Sequence, residues 1–338
     1  MMEKKRIEYI DLMKGICIFL VVLLHCDFQF EGKLSIINSC LGELRMPLYF
    51  FLSGFFFKTY SNLFDFVLHK TNNLIIPYIF FLTLFILPYC VVVLPINSIK
   101  TLVLYYVEPF YPALWFLRCL FFLNLFYYVI YKNIYSDINR VIMSFIISIS
   151  IFYISVYLKQ FDDKTYMFWF LYISNLMPAL FALPLVAIAN FVRKKNNYLQ
   201  NLRPAVKLYI MVFLILLWGV FSEDNIGYSM LNLGSNPLFT YLASLSGIGT
   251  IYFLSGMIKR IPYFSYIGRY SLIVLGTHMI PIIIINKYFN VEYKLLTACI
   301  TLAIMPFFIF ILKKYFPYFT AQKQLIYLKN NKICFLKE

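Results

Sequence analysis

The chain has 338 residues, 62% of them hydrophobic and 13% charged, with a mean hydropathy of +0.77. A soluble domain carries about 45–50% apolar and about 25% charged residues, so this composition excludes an ordinary cytosolic enzyme, a nucleic-acid-binding domain and a secreted module. The net charge of +15 fits a membrane protein better than a nucleic-acid partner, because Lys and Arg gather in the cytoplasmic loops of membrane proteins. The expected class is all-α, polytopic and seated in a lipid bilayer.

The N-terminus has a basic start, Lys4-Lys5-Arg6, followed by an apolar run from Gly15 to Leu24. Asp11 and Lys14 interrupt it, and no small-residue cleavage pattern precedes the polar stretch Gln29 to Lys33. It reads as a retained first span and not as a signal peptide. A spanning helix needs about 20 mostly apolar residues. Ten runs meet that description: roughly 8–28, 36–57, 74–95, 113–131, 141–158, 168–192, 208–222, 237–257, 270–288 and 294–312. Placing the N-terminus, the even loops and the tail in the cytoplasm leaves Lys33, Lys100, Lys159, Lys164, Lys287 and Lys294 outside, with Lys14, Arg45 and Arg118 within spans. The remaining 21 of the 30 basic residues then lie inside, the asymmetry expected for ten helices with both termini cytoplasmic. The longest cytoplasmic stretch, Arg193 to Lys207, is itself basic. The tail from about 315 to 338 is basic and partly amphipathic and is expected to lie on anionic lipid. One domain is expected over 1–338. Seven scattered cysteines, an odd number without metal-ligand spacing, point to neither a disulfide framework nor a metal.

Ionisable side chains inside spans are costly and are therefore functional candidates. They are Asp11, Lys14, His25, Arg45, Arg118 and His278; Asp27 and Glu43 fall at outer span ends, where water can reach them. Lys14 and His25 are eleven residues apart, which returns to within about 20° of the same helix face. Asp11 is one turn from Lys14 and can pair with it. The first helix thus carries a polar stripe, with a charged pair at its inner end and a histidine about 16 Å further out. The plainer alternatives are an interfacial snorkelling pair for Asp11 and Lys14, and headgroup snorkelling for Arg45 and Arg118. If the helices surround one cavity, two guanidiniums and two imidazoles converge in its outer half, where they could orient sugar hydroxyls and stabilise an oxyanion. No Gly-rich phosphate loop, zinc ligand set or Ser-His-Asp arrangement is present.

These residues resemble the acyltransferase-3 family of integral membrane acyltransferases. The run from Arg6 through Asp11, Lys14 and Gly15 to His25 is similar to the family's opening motif, and Met46-Pro47-Leu-Tyr-Phe-Phe-Leu-Ser53-Gly54-Phe55-Phe-Phe57 to its second-helix motif. Ile76-Pro77-Tyr78, Leu114-Trp115-Phe116-Leu117, and Tyr266-Ile-Gly268-Arg269-Tyr-Ser271 running to His278 continue the likeness in order. One departure stands out: where many members carry two arginines three residues apart, this chain has Lys70 and Asn73. The resemblance implies an O-acyltransferase, most simply an O-acetyltransferase, using acetyl-CoA or another short acyl-CoA, without a metal. Its acceptor would be a glycan or glycolipid of the cell envelope or an exopolysaccharide, and its place a bacterial cytoplasmic membrane. Asp11, Lys14, Lys70 and Arg269 would face the donor. His25 would be general base or transient acyl carrier, with Arg45, Arg118 and His278 around the reacting groups. Homo-oligomerisation stays open. A saccharide transporter or flippase, or a sensor with a degenerate site, are the alternative classes.

Overall fold

The computed structural model describes residues 7–29, 35–92, 113–160, 176–223, 232–288, 293–329 and 332–335. Within them the chain is a helical bundle. Its first half comprises α1 (Glu8–His25), α2 (Ile36–Phe55), the short α3 (Leu63–Lys70), a π turn (Thr71–Ile75), α4 (Ile76–Val92), α5 (Trp115–Asn133) and α6 (Asp137–Leu158). Then come α7 (Leu176–Phe181), α8 (Leu183–Lys194), α9 (Asn196–Gln200), α10 (Pro204–Phe221), α11 (Pro237–Ile258), α12 (Pro262–Arg269), α13 (Ser271–Thr277), α14 (Met279–Tyr288) and α15 (Lys294–Tyr315). Helix starts follow local chemistry. Asn62, Ser136 and Asn236 each accept a backbone N–H of the helix they precede, and prolines open α10, α11 and α12.

Every predicted run coincides with a helix or a broken pair of helices, although residues 93–95 and 168–175 lie outside the described residues. Six of the described units are long and apolar enough to cross a membrane: α6, α7 with α8, α10, α11, α13 with α14, and α15. The other four, α1, α2, α4 and α5, fall short of that standard. α4 has 17 residues. α1 carries Glu8, Asp11 and Lys14, α2 carries Glu43 and Arg45, and α5 carries Arg118 and Lys132. Hydropathy drops in the helices that bear the polar candidates.

α6 and α10 are the outermost helices, with 22% and 11% of their apolar windows buried against protein, whereas α7–α8 reach 67% and α11 61%. Large apolar side chains such as Tyr209, Phe213 and Val220 accordingly remain exposed on α10. Lipid is as apolar as leucine, so helices in a membrane are held by close packing of small residues. α1 crosses α12 where Gly15 meets Gly268. A Cβ at Gly15 would land on the Phe264 carbonyl, and one at Gly268 on the Asp11 carbonyl. Gly54 lets α2 meet the Val186 backbone of α8 in the same way.

The tail, expected as a basic and partly amphipathic segment, has regular structure of its own. It folds back as an antiparallel hairpin of β1 (Ile326–Lys329) and β2 (Lys332–Phe335), with Ile326 opposite Phe335. The reason is a polar anchor on the bundle: the Asn72 carboxamide bonds the backbone of Leu325 and Ile326.

Gly268→Ala should lower stability by about 1–3 kcal/mol through overpacking. Gly219→Ala, with open space around it, should be neutral or gain up to about 1 kcal/mol from helix propensity. Thermal unfolding of the two variants in one detergent checks both.

Candidate active site

α1 builds the site along its length. At its start, Ile7, Asp11 and Lys14 line a cavity of about 580 Å³ together with Phe55, Phe56, Lys58, Arg193, Lys194, Asn196, Asn197 and Arg269. These residues come from the first turns of α1, the end of α2, the α8–α9 junction and the end of α12. Those are four segments that charge counting assigns to one side of the membrane, and they meet at one end of the bundle. The lining holds five cations against one carboxylate, Asp11. That carboxylate reaches beyond its own helix. Its ion pair is with Arg269 at 3.8 Å, across the glycine crossing, while the Lys14 ammonium stands 4.6 Å over the Phe56 ring. Arg193 donates to the Phe57 carbonyl at 2.8 Å, and Lys194 pairs with Asp137 at 2.6 Å.

Lys14 and Phe56 also line a second, more apolar cavity of about 320 Å³, bounded by Tyr49, Ser53, Lys70, Asn73, Phe116, Leu120, Ser271 and Leu275 among others. Lys70 donates to Asn124 Oδ1 at 2.6 Å, and Asn124 in turn donates to Ser53 Oγ at 2.9 Å and to the Leu120 carbonyl at 2.7 Å. Burial, with Lys58 adding like-charge repulsion, lowers the Lys70 ammonium to about 8. Burial and the charges of Lys70 and Lys58 lower His69 to about 4, so its ring is neutral at pH 7 and faces Asn73 at 2.9 Å.

At its far end α1 closes with a Schellman turn, Asp27 N–H to Leu24 O at 3.0 Å and Phe28 N–H to Leu23 O at 3.2 Å, with Asp27 in the left-handed region at φ 56°. His25 is thereby the last helical residue. Its ring lies 5.1 Å, centroid to centroid, from that of His278 at the α13–α14 break. The break has a local cause, because Pro281 has no N–H to give the Thr277 carbonyl. His278 is fully buried, and its Nδ1 lies 3.0 Å from the carbonyl oxygens of both Val274 and Leu275. Carbonyls only accept, so Nδ1 carries a proton. Arg45 and Asp27 are the charges that act on His25, and both line a small opening of about 90 Å³ with Asn38, Gln29 and Phe28.

The structure thus gathers Asp11, Lys14 and Arg269 at the first cavity, Lys14 and Lys70 at the second, and His25, His278 and Arg45 at the far end of α1. Arg118 has its guanidinium 5.2 Å over the Tyr78 ring of α4. Glu43 is not at a wet span end but fully buried, accepting the Glu223 N–H at 3.3 Å, because α11 covers it with Ser244. Asn124 and Lys58 escaped the reading of ionisable span residues. Asn124 is uncharged, though an amide in a span is also costly; Lys58 looked like one loop charge among many. No group of three or more metal-ligating side chains occurs among the described residues.

The profile of the acyltransferase-3 family, described as an acyltransferase domain, matches residues 7–313. The chain belongs to that family. With its apolar helices, it is a multi-pass membrane acyltransferase. No curated protein and no solved structure matches it.

Anion binding at the apolar cavity should weaken as pH rises. Lys70 is an ammonium well below pH 8 and loses its charge as pH passes about 8, by up to about tenfold in affinity per unit beyond. Lys70→Arg should bind with a flat profile, since a guanidinium stays protonated. Titration of adenosine 3′,5′-bisphosphate between pH 6.5 and 9.5 separates the two.

Proposed function

We propose that this acyltransferase moves an acetyl or other short acyl group from acyl-CoA to a hydroxyl of a cell-envelope or exopolysaccharide sugar, in a bacterial cytoplasmic membrane. The observation that carries the reading is the run of α1 from a basic cavity, through Lys14 at the apolar cavity, to a pair of imidazoles brought together from helices some 250 residues apart in sequence. A polyanionic thioester needs cations at one end of its site and a base at the other, and this helix supplies both.

Lys14, Lys58, Arg193 and Arg269 hold the donor's phosphates by charge-assisted hydrogen bonds. Asp11 keeps Arg269 at the mouth. The apolar cavity takes the donor's innermost phosphate at Lys70, followed by the pantetheine and acyl portion. The acceptor approaches from the opposite end of α1. His25 takes the proton of the acceptor hydroxyl as its oxygen attacks the thioester carbonyl. The C–O bond forms, the C–S bond breaks, and the proton passes from the imidazolium to the leaving thiolate. Alternatively, His25 attacks first and carries the acyl group to the acceptor in a second step. Arg45, which acts on His25, stabilises the negative charge that develops on the carbonyl oxygen. His278 holds a proton on Nδ1 and presents a fixed ring beside His25; Arg118, packed on Tyr78, orients the acceptor.

His25→Ala should reduce transfer from radiolabelled acetyl-CoA by about 10²–10⁴-fold while membrane abundance and donor binding persist. Loss of labelled protein together with turnover favours the acyl carrier; loss of turnover alone favours the general base. Folded wild-type protein that neither binds nor turns over acetyl-CoA overturns the proposal and favours saccharide translocation.

A further inference from the structure

The C-terminal segment is attached next to residues that line the apolar cavity, and its attachment is unusually specific. After α15 the chain passes under α4, with Phe319 stacked on Phe80 at 5.3 Å and Phe316 beside the same ring at 5.3 Å. It then reverses, the Pro317 carbonyl accepting both Gln322 N–H at 2.9 Å and Lys323 N–H at 3.0 Å. The returning strand reaches Asn72, which is 2% exposed. Asn72 Oδ1 accepts Leu325 N–H and Ile326 N–H, both at 2.9 Å, and its Nδ2 donates to Ile326 O at 2.8 Å and Leu68 O at 2.9 Å. A carboxamide has two donors and two acceptor lone pairs; all four are used. Three go to the tail.

Asn72 belongs to the π turn Thr71–Ile75. Such turns are rare and concentrate where a helix is bent to a task. Here Pro77 offers no N–H to the Asn73 carbonyl, and the ladder widens. The residues around Asn72, Lys70 and Asn73, line the cavity. An extra residue in the turn sets their direction, and nothing in the propensity of Thr71-Asn-Asn-Leu-Ile75 holds a π turn by itself. Gln324 adds a contact to His69 at 3.4 Å, on the turn before.

We propose that the C-terminal strap is a working part of the cavity: by saturating Asn72 it fixes the π turn that presents Lys70 and Asn73, and so sets how tightly an anionic ligand is held there. Asn72 is then a positioning residue. The effect on donor affinity rests on the donor reading given above; the effect on the turn does not.

Two variants test it in the full chain in nanodiscs: a stop after Lys323, and Asn72→Asp, which keeps the tail but sets a carboxylate against the Leu68 and Ile326 carbonyls. Amide exchange across residues 69–75 reads the turn without any ligand, and KM and kcat for acetyl-CoA read the site. Both variants should speed exchange by about tenfold or more and raise KM about tenfold with kcat within about twofold. In a Lys70→Ala background neither should raise KM further, because they act through the same ammonium. Unchanged exchange, or KM effects that multiply with Lys70→Ala, overturns the strap. Faster exchange in protein whose wild type neither binds nor turns over acetyl-CoA supports the strap and overturns the donor reading instead.

Discussion

Everything at the site hangs on the contact of Gly15 with the α12 backbone and of Gly268 with that of α1. Two glycines allow two backbones to approach where any side chain would collide, and in lipid such approach is the main source of helix–helix adhesion. The consequence is chemical as well as mechanical. The crossing sets Arg269 against Asp11, an ion pair made from another helix, and Lys14, one turn along, lines both cavities. It also fixes the rotation of α1 about its axis, and with it the direction of His25 eleven residues on. A short amphipathic helix, α12, would be a poor choice for adhesion by surface area; its value is its position just before the α13–α14 unit that carries His278.

The far end of α1 shows the same economy. His25 is the last residue of its helix, and the Schellman turn behind it places Asp27, a residue with a side chain, in the left-handed region where glycine is preferred. His278 occupies a helix break made by Pro281. Both imidazoles are therefore held at discontinuities, where backbone geometry differs from a continuous helix. The carbonyls of Val274 and Leu275 then hold a proton on Nδ1 of His278, so the chemistry of the ring is set by the main chain.

Much of this was legible from the residue types alone. Apolar runs located the helices, because a bilayer admits few alternatives for a chain that must satisfy its backbone internally. The polar stripe of α1 was legible because an ionisable side chain in a span stands out against its surroundings. What could not be read were partners far apart in the chain. The spacing of Asp11 and Lys14 fits a pair, but the ion pair of Asp11 with Arg269, 258 positions away, has no signal in that spacing. Glu43 looked wet because its neighbours in sequence end a span; its burial comes from α11 and the segment around Glu223. Asn72 carries no signal in the sequence, because its task depends on a tail some 250 residues later. Composition suggested that this tail lies on lipid; it held no sign of the three hydrogen bonds that tie the tail to one carboxamide of the bundle.

The resemblance leads one to expect two arginines where this chain has Lys70 and Asn73, and that difference has a physical consequence. A guanidinium would keep its charge at any working pH and grip an anion through two parallel bonds. Lys70 is half-buried, bonded to the neutral Asn124, and repelled by Lys58. Its charge is therefore conditional: present well below pH 8, lost as pH passes about 8, and stabilised when an anion arrives. Asn73, facing the neutral His69, adds hydrogen-bonding capacity without adding charge. A cavity walled in this way holds an anion less firmly than a pair of arginines and releases it more readily. The guanidiniums of Arg193 and Arg269 line the basic cavity and not the apolar one. On the proposed donor reading, the step from guanidiniums to a titratable ammonium would let a polyanion be captured at the first cavity without being trapped in the second.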